Sequence, residues 1–402
     1  MKKKSVAIIG TVGVPANYGG FETLAEHLIT HLGNKYDMHV YCSGKKYKKQ
    51  ERRDTYKNAK LHYIPLEANG VQSIPYDTWS ILHALFFADV LLILGVSGAW
   101  LLPFVKLFTK KKIIISIDGI EWKRNKWNML AKWYLFWAEG LAVKYSHIDI
   151  SDNEAIQDYT AQRYGTLSRI IEYGADHTIP KNDAISSAEY PFMAHPYAFK
   201  VCRIEPENNV HVVLKAFSEM PEYRLVMVGN WNNSEYGLNL KETYKDFANI
   251  TILDPIYDQQ RLDLIRSNAV LYIHGHSAGG TNPSLVEAMY LGLPIITYGV
   301  SYNKVTTENK ALYFTSEDDL KQIIQSLKLA DIQKLGVVMG EIAKRRYTWK
   351  LIADKYEGLV QEALQSSKKP SIASTTEEVP YETLLELGLS HIKFNDGFYS
   401  QR

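Results

Sequence analysis

The chain has 402 residues, a formal net charge of +2, 46% hydrophobic and 22% charged residues, and two cysteines. That length holds two domains with cores of their own, and so even a charge balance excludes a nucleic-acid binder. Cys42 and Cys202 stand far apart without ligand-like spacing, which excludes a disulfide framework or a zinc site and fits a reducing compartment. The even total hides an asymmetry, because residues 1–180 carry 23 Lys+Arg against 17 Asp+Glu. A basic first half suits an anionic surface or substrate.

Met1 to Ala16 imitates a signal peptide, with a basic start and an apolar run. Gly10, Gly13 and Pro15 break that run, and a first buried strand with its loop is the expectation. The next helix repeats apolar residues at Phe21, Leu24, Ala25, Leu28, Ile29 and Leu32, a period near 3.6. Strands are expected near 38–42, 61–64, 88–94, 113–117, 147–150 and 169–172, with helices between most of them. Residues 90–105 lack a charge, but sixteen residues broken by Gly95, Gly98 and Pro103 are short for a membrane span. A polar stretch over 179–190 separates this series from a second. Strands are expected there near 199–203, 224–229, 250–253, 270–274, 294–298 and 311–314. Two doubly wound Rossmann-like halves follow, residues 1–178 and 191–345, with a ligand cleft at the carboxyl ends of both sheets. A C-terminal helix over 346–365 is expected to pack back toward the first half. Residues 366–402 read as a polar linker and a tail of unassigned role, with a short helix over 380–389.

The densest chemical signal is His274-Gly-His-Ser-Ala-Gly-Gly-Thr-Asn-Pro-Ser-Leu-Val-Glu287. Asn282 is a good N-cap and Pro283 fits the first helical position. The N–H groups of Ser284 and Leu285 are then expected to be free at the positive end of the helix, a seat for a diphosphate. Glu287, one turn further, is placed for ribose hydroxyls. Gly279, Gly280 and Thr281 form a turn or let a ligand approach the backbone. His276 reads equally as a ligand contact or a structural loop histidine. Gly10-x-x-Gly13 followed by Gly19-Gly20 lacks the dinucleotide spacing, and no acidic residue ends the second strand, so a nicotinamide enzyme is excluded.

Gly279 to Met289 with Gly292-Leu-Pro294 resembles the donor motif of the retaining family 4 glycosyltransferases of GT-B fold, an α/β architecture. Gly10 to Glu22, Asp118-Gly-Ile-Glu-Trp-Lys-Arg124, Tyr173-Gly-Ala-Asp176 and Arg203-Ile-Glu-Pro-Glu-Asn-Asn209 are similar to its bacterial rhamnosyltransferase-like subgroup. The resemblance covers about residues 5–360. It implies a nucleotide-sugar substrate and no cofactor, and with no Asp-x-Asp motif evident no metal is needed. Arg203 would clamp the diphosphate with parallel hydrogen bonds. Gly19 and Gly20 would face the donor phosphates, and Glu287 the ribose. The family usually has a lysine where Asn208 stands and a glutamate where Gly279 stands. The subgroup shares both departures, which fit a 6-deoxy-hexose donor; weakened or lost activity is the other outcome they allow.

Asp118 at a strand end is a candidate for acceptor binding or proton handling, or is a turn residue before Gly119; Glu121 is equally divided. Trp122, Trp127, Trp133 and Trp137 fall beside Lys123, Arg124, Lys126 and Lys132, a composition suited to a membrane interface. Core packing accounts for Trp133 and Trp137 as well, since Leu130, Tyr134 and Leu141 share their helical face. The basic loop over 45–53 adds attraction to an anionic surface. The expectation is a cytoplasmic hexosyltransferase at the inner face of the cell membrane. It would move rhamnose from dTDP-rhamnose to a lipid-linked glycan of a bacterial surface polysaccharide. A nucleotide-sugar 2-epimerase of the same fold and a non-catalytic sugar- or nucleotide-binding or partner protein are the alternatives.

Overall fold

The computed structural model describes residues 3–16, 19–117, 119–124, 127–179, 190–366 and 369. Asp118, Lys126, the stretch 180–189 and, apart from Ser366 and Lys369, the linker and tail over 366–402 lie outside the described residues. The contacts divide the chain into two units, Tyr173–Leu351 and the remainder.

In the first unit the apolar runs become strands and the 3.6-residue patterns become helices. In chain order these are β1 (Ser5–Ile9), α1 (Gly20–Leu32), β2 (Asp37–Ser43), β3 (Thr55–Tyr56), β4 (Ala59–Ile64), α2 (Ser73–Ala84) and β5 (Val90–Leu94). Then come α3 (Leu102–Phe108), β6 (Lys112–Ile117), α4 (Met129–Tyr145), β7 (Ile148–Ser151), α5 (Glu154–Tyr164) and β8 (Arg169–Ile170). The eight-stranded sheet runs β3-β4-β2-β1-β5-β6-β7-β8. All pairs are parallel except the edge strand β3, two residues that are too short to show a period. Every residue of β1 and β5 is buried, as strands covered on both faces must be. Chain order runs one way through β4, β5, β6 and β7, so right-handed crossovers set α2, α3 and α4 side by side on one face. Asn128 caps α4 by accepting the Ala131 N–H, and α5 ends at Gly165 in the left-handed region at φ 60.

The second unit contains β9 (Ala198–Val201), α6 (Val210–Ser218), β10 (Leu225–Val228), α7 (Glu235–Tyr244), β11 (Ile250–Leu253), α8 (Gln259–Ser267) and β12 (Leu271–His274). It continues with α9 (Pro283–Tyr290), β13 (Ile295–Tyr298), α10 (Ser301–Thr306), β14 (Leu312–Phe314), α11 (Glu317–Ser326) and α12 (Leu329–Arg346). Its six strands are parallel in the order β11-β10-β9-β12-β13-β14. The chain direction reverses between β9 and β12, which is where such sheets hold ligands beyond their carboxyl ends. Val213, Leu214 and Phe217 of α6 pack on Leu225, Met227 and Phe314 to form the core.

The last helix, α13 (Trp349–Gln365), belongs to the first unit from Ile352 onward. There Glu357 pairs with Lys35 at 2.5 Å, Lys355 with Glu172 at 2.6 Å and Glu362 with Arg169 at 2.8 Å. No helix among the described residues is long and apolar enough to cross a membrane.

Candidate functional site

At the switch point of the second unit, β9 and β12 lead into two loops that are tied together. Asn209, in the left-handed region at φ 47, donates its side-chain amide to the Gly275 carbonyl at 2.8 Å. Ser277 donates its backbone N–H to the Glu207 carbonyl at 2.8 Å and its hydroxyl to the same oxygen at 2.9 Å. Tyr302 holds the Ser277 carbonyl at 2.6 Å, and Asn303 the His276 carbonyl at 2.9 Å. Arg203 leaves β9 through this turn, partly exposed, with Glu205 at 3.7 Å. Asn208 is buried, donates to the Arg203 carbonyl at 2.6 Å and so shapes the turn.

Helix α9 starts at Asn282-Pro283 as the sequence indicates. The expectation of free amides at Ser284 and Leu285 is corrected. The Ser284 N–H donates to Asn282 Oδ1 at 3.1 Å and the Leu285 N–H to the Asn282 carbonyl at 3.0 Å. The Ser284 hydroxyl also reaches Asn282 Oδ1, at 2.8 Å. The same residue that signals the helix start caps its own first amides, so an anion must compete with Asn282 for them. Gly279 lies at φ 119, a conformation that favours glycine, and Thr281 is buried.

Glu287 is neither an exposed helix residue nor an open carboxylate. Its Oε2 meets Arg266 Nη1 at 2.5 Å and its Oε1 meets His177 Nε2 at 3.2 Å. Burial alone would raise its pKa, but Arg266 and His177 outweigh burial and bring it down to about 2. It is therefore an ionised acceptor at neutral pH. Arg266, from α8, is fully buried, with Asp263 3.7 Å away, and Asp263 accepts the Ile179 N–H at 3.0 Å and the Gln259 amide at 2.8 Å.

The Tyr173-Gly-Ala-Asp176 motif explains how His177 is held. Trp349 donates its backbone N–H to Asp176 Oδ1 at 2.6 Å and its indole N–H to His177 Nδ1 at 2.9 Å. An indole only donates, so Nδ1 accepts and Nε2–H is the group that faces Glu287. A Cβ on Gly174 would stand 2.4 Å from the Trp349 ring, so only glycine fits against it. Sequence reasoning missed Arg266, His177 and Trp349. The motif around Gly174 was the one available signal, and it pointed to the segment without naming the partner.

Below the tied loops lie two groups that the sequence did not single out. Lys200 on β9 is fully buried, and its Nζ has no hydrogen-bond partner among the described residues. A Cβ on Gly275 would stand 2.7 Å from that Nζ. His274 is fully buried and stacks on His276, centroids 4.3 Å apart at 9°. Burial lowers the pKa of Lys200 and lowers that of His274 further below its ordinary value. His276 itself is half-buried over this stack.

In the first unit Gly19 precedes α1 at φ 111, and a Cβ there would lie 2.0 Å from Glu22 Oε2. Glu22 is buried, and its Oε1 accepts the Val12 N–H at 2.6 Å. Gly19 and Gly20 thus sit where the glycine loop folds onto the start of α1. Glu121 is committed to neighbours: it accepts the Trp127 indole N–H at 3.0 Å and pairs with Arg124 at 3.1 Å. Trp122 donates to Tyr159 at 2.9 Å and meets Phe136 edge-on at 5.1 Å, with Lys123 Nζ 5.5 Å from its ring centroid. Trp133 and Trp137 are exposed, so the core-packing reading of them is corrected; Leu135, Ala138 and Ala142 fill the inward face of α4.

Residues 184–346 match the family model of glycosyl transferases group 1, and residues 3–176 match a domain of unknown function (DUF1972). No curated protein matches the chain. Sucrose-phosphate synthase from Thermosynechococcus elongatus is similar over 90% of this chain and 99% of its own, at 15% identity and a TM-score of 0.75. The Anabaena protein HepE in complex with UDP-glucose is similar over 89% of this chain and 99% of its own, at 12% identity and 0.68. The catalytic domain of starch synthase IV from Arabidopsis thaliana, bound to ADP and acarbose, covers 91% of this chain and 100% of its own, at 14% identity and 0.68. At such identities the likeness establishes the fold alone: two parallel-sheet Rossmann-like domains of the GT-B kind.

Proposed function

We propose that this chain, which carries a glycosyl transferases group 1 domain over residues 184–346, is a retaining, metal-independent hexosyltransferase. Its donor on this reading is dTDP-rhamnose, and its acceptor a lipid-linked glycan of a bacterial surface polysaccharide. The observation that carries the proposal is Glu287, held ionised by Arg266 and His177 one turn into α9. A fixed carboxylate beside a helix start suits a ribose diol next to a diphosphate. Neighbours of the same fold bound to UDP-glucose and to ADP support a nucleotide-linked donor. Gly279 and Asn208, in place of the family's glutamate and lysine, support a 6-deoxy sugar.

In the reaction the bond from the anomeric carbon to the diphosphate oxygen breaks as a glycosidic bond to the acceptor hydroxyl forms on the same face. The acceptor proton leaves with the released diphosphate. Charge grows on that leaving group, and the Arg203 guanidinium together with the positive end of α9 stabilises it. Asn282 yields one of its capped amides as the diphosphate arrives.

Thermal stabilisation by dTDP, UDP, GDP and their sugar conjugates tests the reading, because a ligand bound only by the folded state raises the melting point. The informative variant is Arg203→Ala. Its side chain is partly exposed and loosely paired, whereas removing Glu287 would strand Arg266. Stabilisation by dTDP-rhamnose that falls in Arg203→Ala, with sugar transfer only when acceptor is added, is the expected result. Preference for UDP or GDP sinks the rhamnose assignment. Donor turnover without acceptor makes the protein an isomerase, and no response from any nucleotide makes it non-catalytic.

A further inference from the structure

Helix α4 is apolar on both sides. Leu135, Ala138, Ala142 and Val143 face the sheet, while Met129, Leu130, Trp133, Phe136 and Trp137 stand outward. Met129 is 82% exposed, Leu130 80% and Trp133 67%. A helix of this composition is ordinarily buried all round. Helix α3 packs beside it and repeats the pattern: Leu102 and Val105 are buried, while Phe104, Leu107 and Phe108 are exposed, the last two to 76% and 75%. Eight large apolar side chains at roughly 100 Å² each exceed the largest apolar patch of an ordinary monomer, about 300–600 Å². On the same face of the sheet, α2 adds Trp79 and Leu82, three residues apart, and the turn after the helix adds Phe86.

The charge around this surface has one sign. Residues 90–147 hold nine Lys and Arg against three Asp and Glu. Of those acids Glu139 is buried against Arg163 at 2.6 Å, and Glu121 is paired with Arg124. Lys110, Lys123 and Lys144 are exposed at the margins of α3 and α4, with Lys132 between the outward residues of α4. An apolar centre holding two indoles, rimmed by cations with no exposed carboxylate among the described residues of this stretch, complements an anionic lipid surface. Apolar side chains enter the acyl boundary, indoles sit at headgroup level and lysines reach the phosphates.

We infer that the outer face of α3 and α4, extended by α2, is a docking surface for an anionic lipid bilayer. No spanning segment is involved. The inference deepens the lipid-linked acceptor reading and rests on it for why an enzyme would use such a surface, but the binding itself is measured apart from catalysis.

The test is sedimentation of the full chain with vesicles of phosphatidylcholine alone and of phosphatidylcholine with phosphatidylglycerol in equal parts, at low and high salt. The chain is expected to sediment with the anionic vesicles, at least tenfold less with the neutral ones, and less as salt rises. Leu107→Asp/Trp133→Asp is expected to stay in solution, with an unchanged melting point because both side chains are exposed. Lys110→Glu/Lys123→Glu is expected to lose the preference for anionic lipid. Nucleotide stabilisation, read on the same samples, depends on the second unit and is expected to be unaffected in both variants. Vesicle binding without nucleotide binding would therefore sink the enzyme reading alone, and the reverse would sink this one alone. Equal binding by wild type and Leu107→Asp/Trp133→Asp overturns the inference. So does a wild-type dimer that this variant breaks, which gives the face to a second copy. Binding that appears only when the chain is cut after Lys369 also overturns it, giving the face to the acidic tail that includes Glu377 and Glu378.

Discussion

Leu107, Leu130 and Trp133 of the first unit stand in solvent, whereas Lys200, Arg266 and His274 of the second are almost wholly withdrawn from it. Both units are parallel sheets whose chain direction reverses at a central strand pair, β1 and β5 in one, β9 and β12 in the other. The architecture thus leaves open where polarity goes, and each unit spends that freedom differently. Apolar groups left outside serve association, because water gains when they are covered. Charges taken inside must be paired or pushed toward neutrality, and such strain gathers where a ligand will sit. On the readings proposed above, the surface would recognise by area and the site by fixed charge.

The largest effect expected tests whether the second unit depends on its buried pair. Glu287→Ala removes the carboxylate 2.5 Å from a fully buried Arg266. Stranding a buried charge costs about 3–5 kcal/mol, so the urea midpoint should fall steeply and nucleotide binding should vanish with it. Arg266→Met/Asp263→Asn/Glu287→Ala, which removes the guanidinium and both carboxylates beside it, should recover part of the stability and none of the binding. If Glu287→Ala leaves the midpoint unchanged, the pair does not hold the unit. The same pair makes the unit acid-sensitive. With its folded pKa held down near 2 against an ordinary 4.5, Glu287 contributes stability in full above about pH 4.5, and that stability is lost as pH falls toward 2.

Lys200→Met carries the opposite sign. Its ammonium has no hydrogen-bond partner among the described residues, and burial lowers its pKa. Replacing it with an apolar chain of similar length should raise stability by about 2 kcal/mol. Wild type should become more stable as pH rises from 7 toward 10.5, since the unfolded lysine still binds a proton there, while Lys200→Met should show no such rise. A loss of nucleotide stabilisation in this variant would instead assign the lysine to the ligand, in the role Asn208 cannot fill.

The strands were readable almost to the residue because apolar runs in a sheet covered on both faces are unbroken. Edge strand β3 was not, having two residues and no period. In the site, Asn282-Pro283 gave the helix start, but the same Asn282 occupies the amides that its presence seemed to offer. Arg266 and Trp349 were invisible, since a side chain's partner from another helix leaves no local pattern. The outward turn of Trp133 was left open between a surface and a core reading, because a helix with apolar residues all round gives no moment by which to choose its inner face.

The first unit has its own acid response. His39 Nδ1 lies 2.9 Å from His62 Nε2, and Tyr41 Oη lies 2.7 Å from His83 Nδ1. Asp37 also reaches His39, at 3.3 Å. Burial, with the neighbouring imidazoles, lowers His62 to about 4. A folded pKa below the unfolded 6.5 means stability that is full above 6.5 and lost as pH falls through 4. The first unit should therefore soften at pH 5, where Glu287 is still ionised. Urea midpoints at pH 7 and pH 5 check this: wild type should drop, and His62→Phe should drop less.

Gly19→Ala is expected to do least, and it separates two readings of one glycine. An added Cβ would meet Glu22 Oε2 at 2.0 Å, and φ 111 is strained for any side chain. Glu22 can swing, but only by releasing the Val12 N–H that it holds at 2.6 Å. A loss of about 1 kcal/mol follows from backbone strain alone. It should appear in unfolding of the first unit, while stabilisation by nucleotide stays at the wild-type value. The family resemblance instead sets Gly19 toward the donor phosphates. On that reading the methyl group blocks the approach of the ligand, and transfer falls far more than stability does. A variant that unfolds slightly earlier and transfers sugar normally makes Gly19 a requirement of the turn. One that folds normally and transfers poorly gives the glycine loop a share in the donor site.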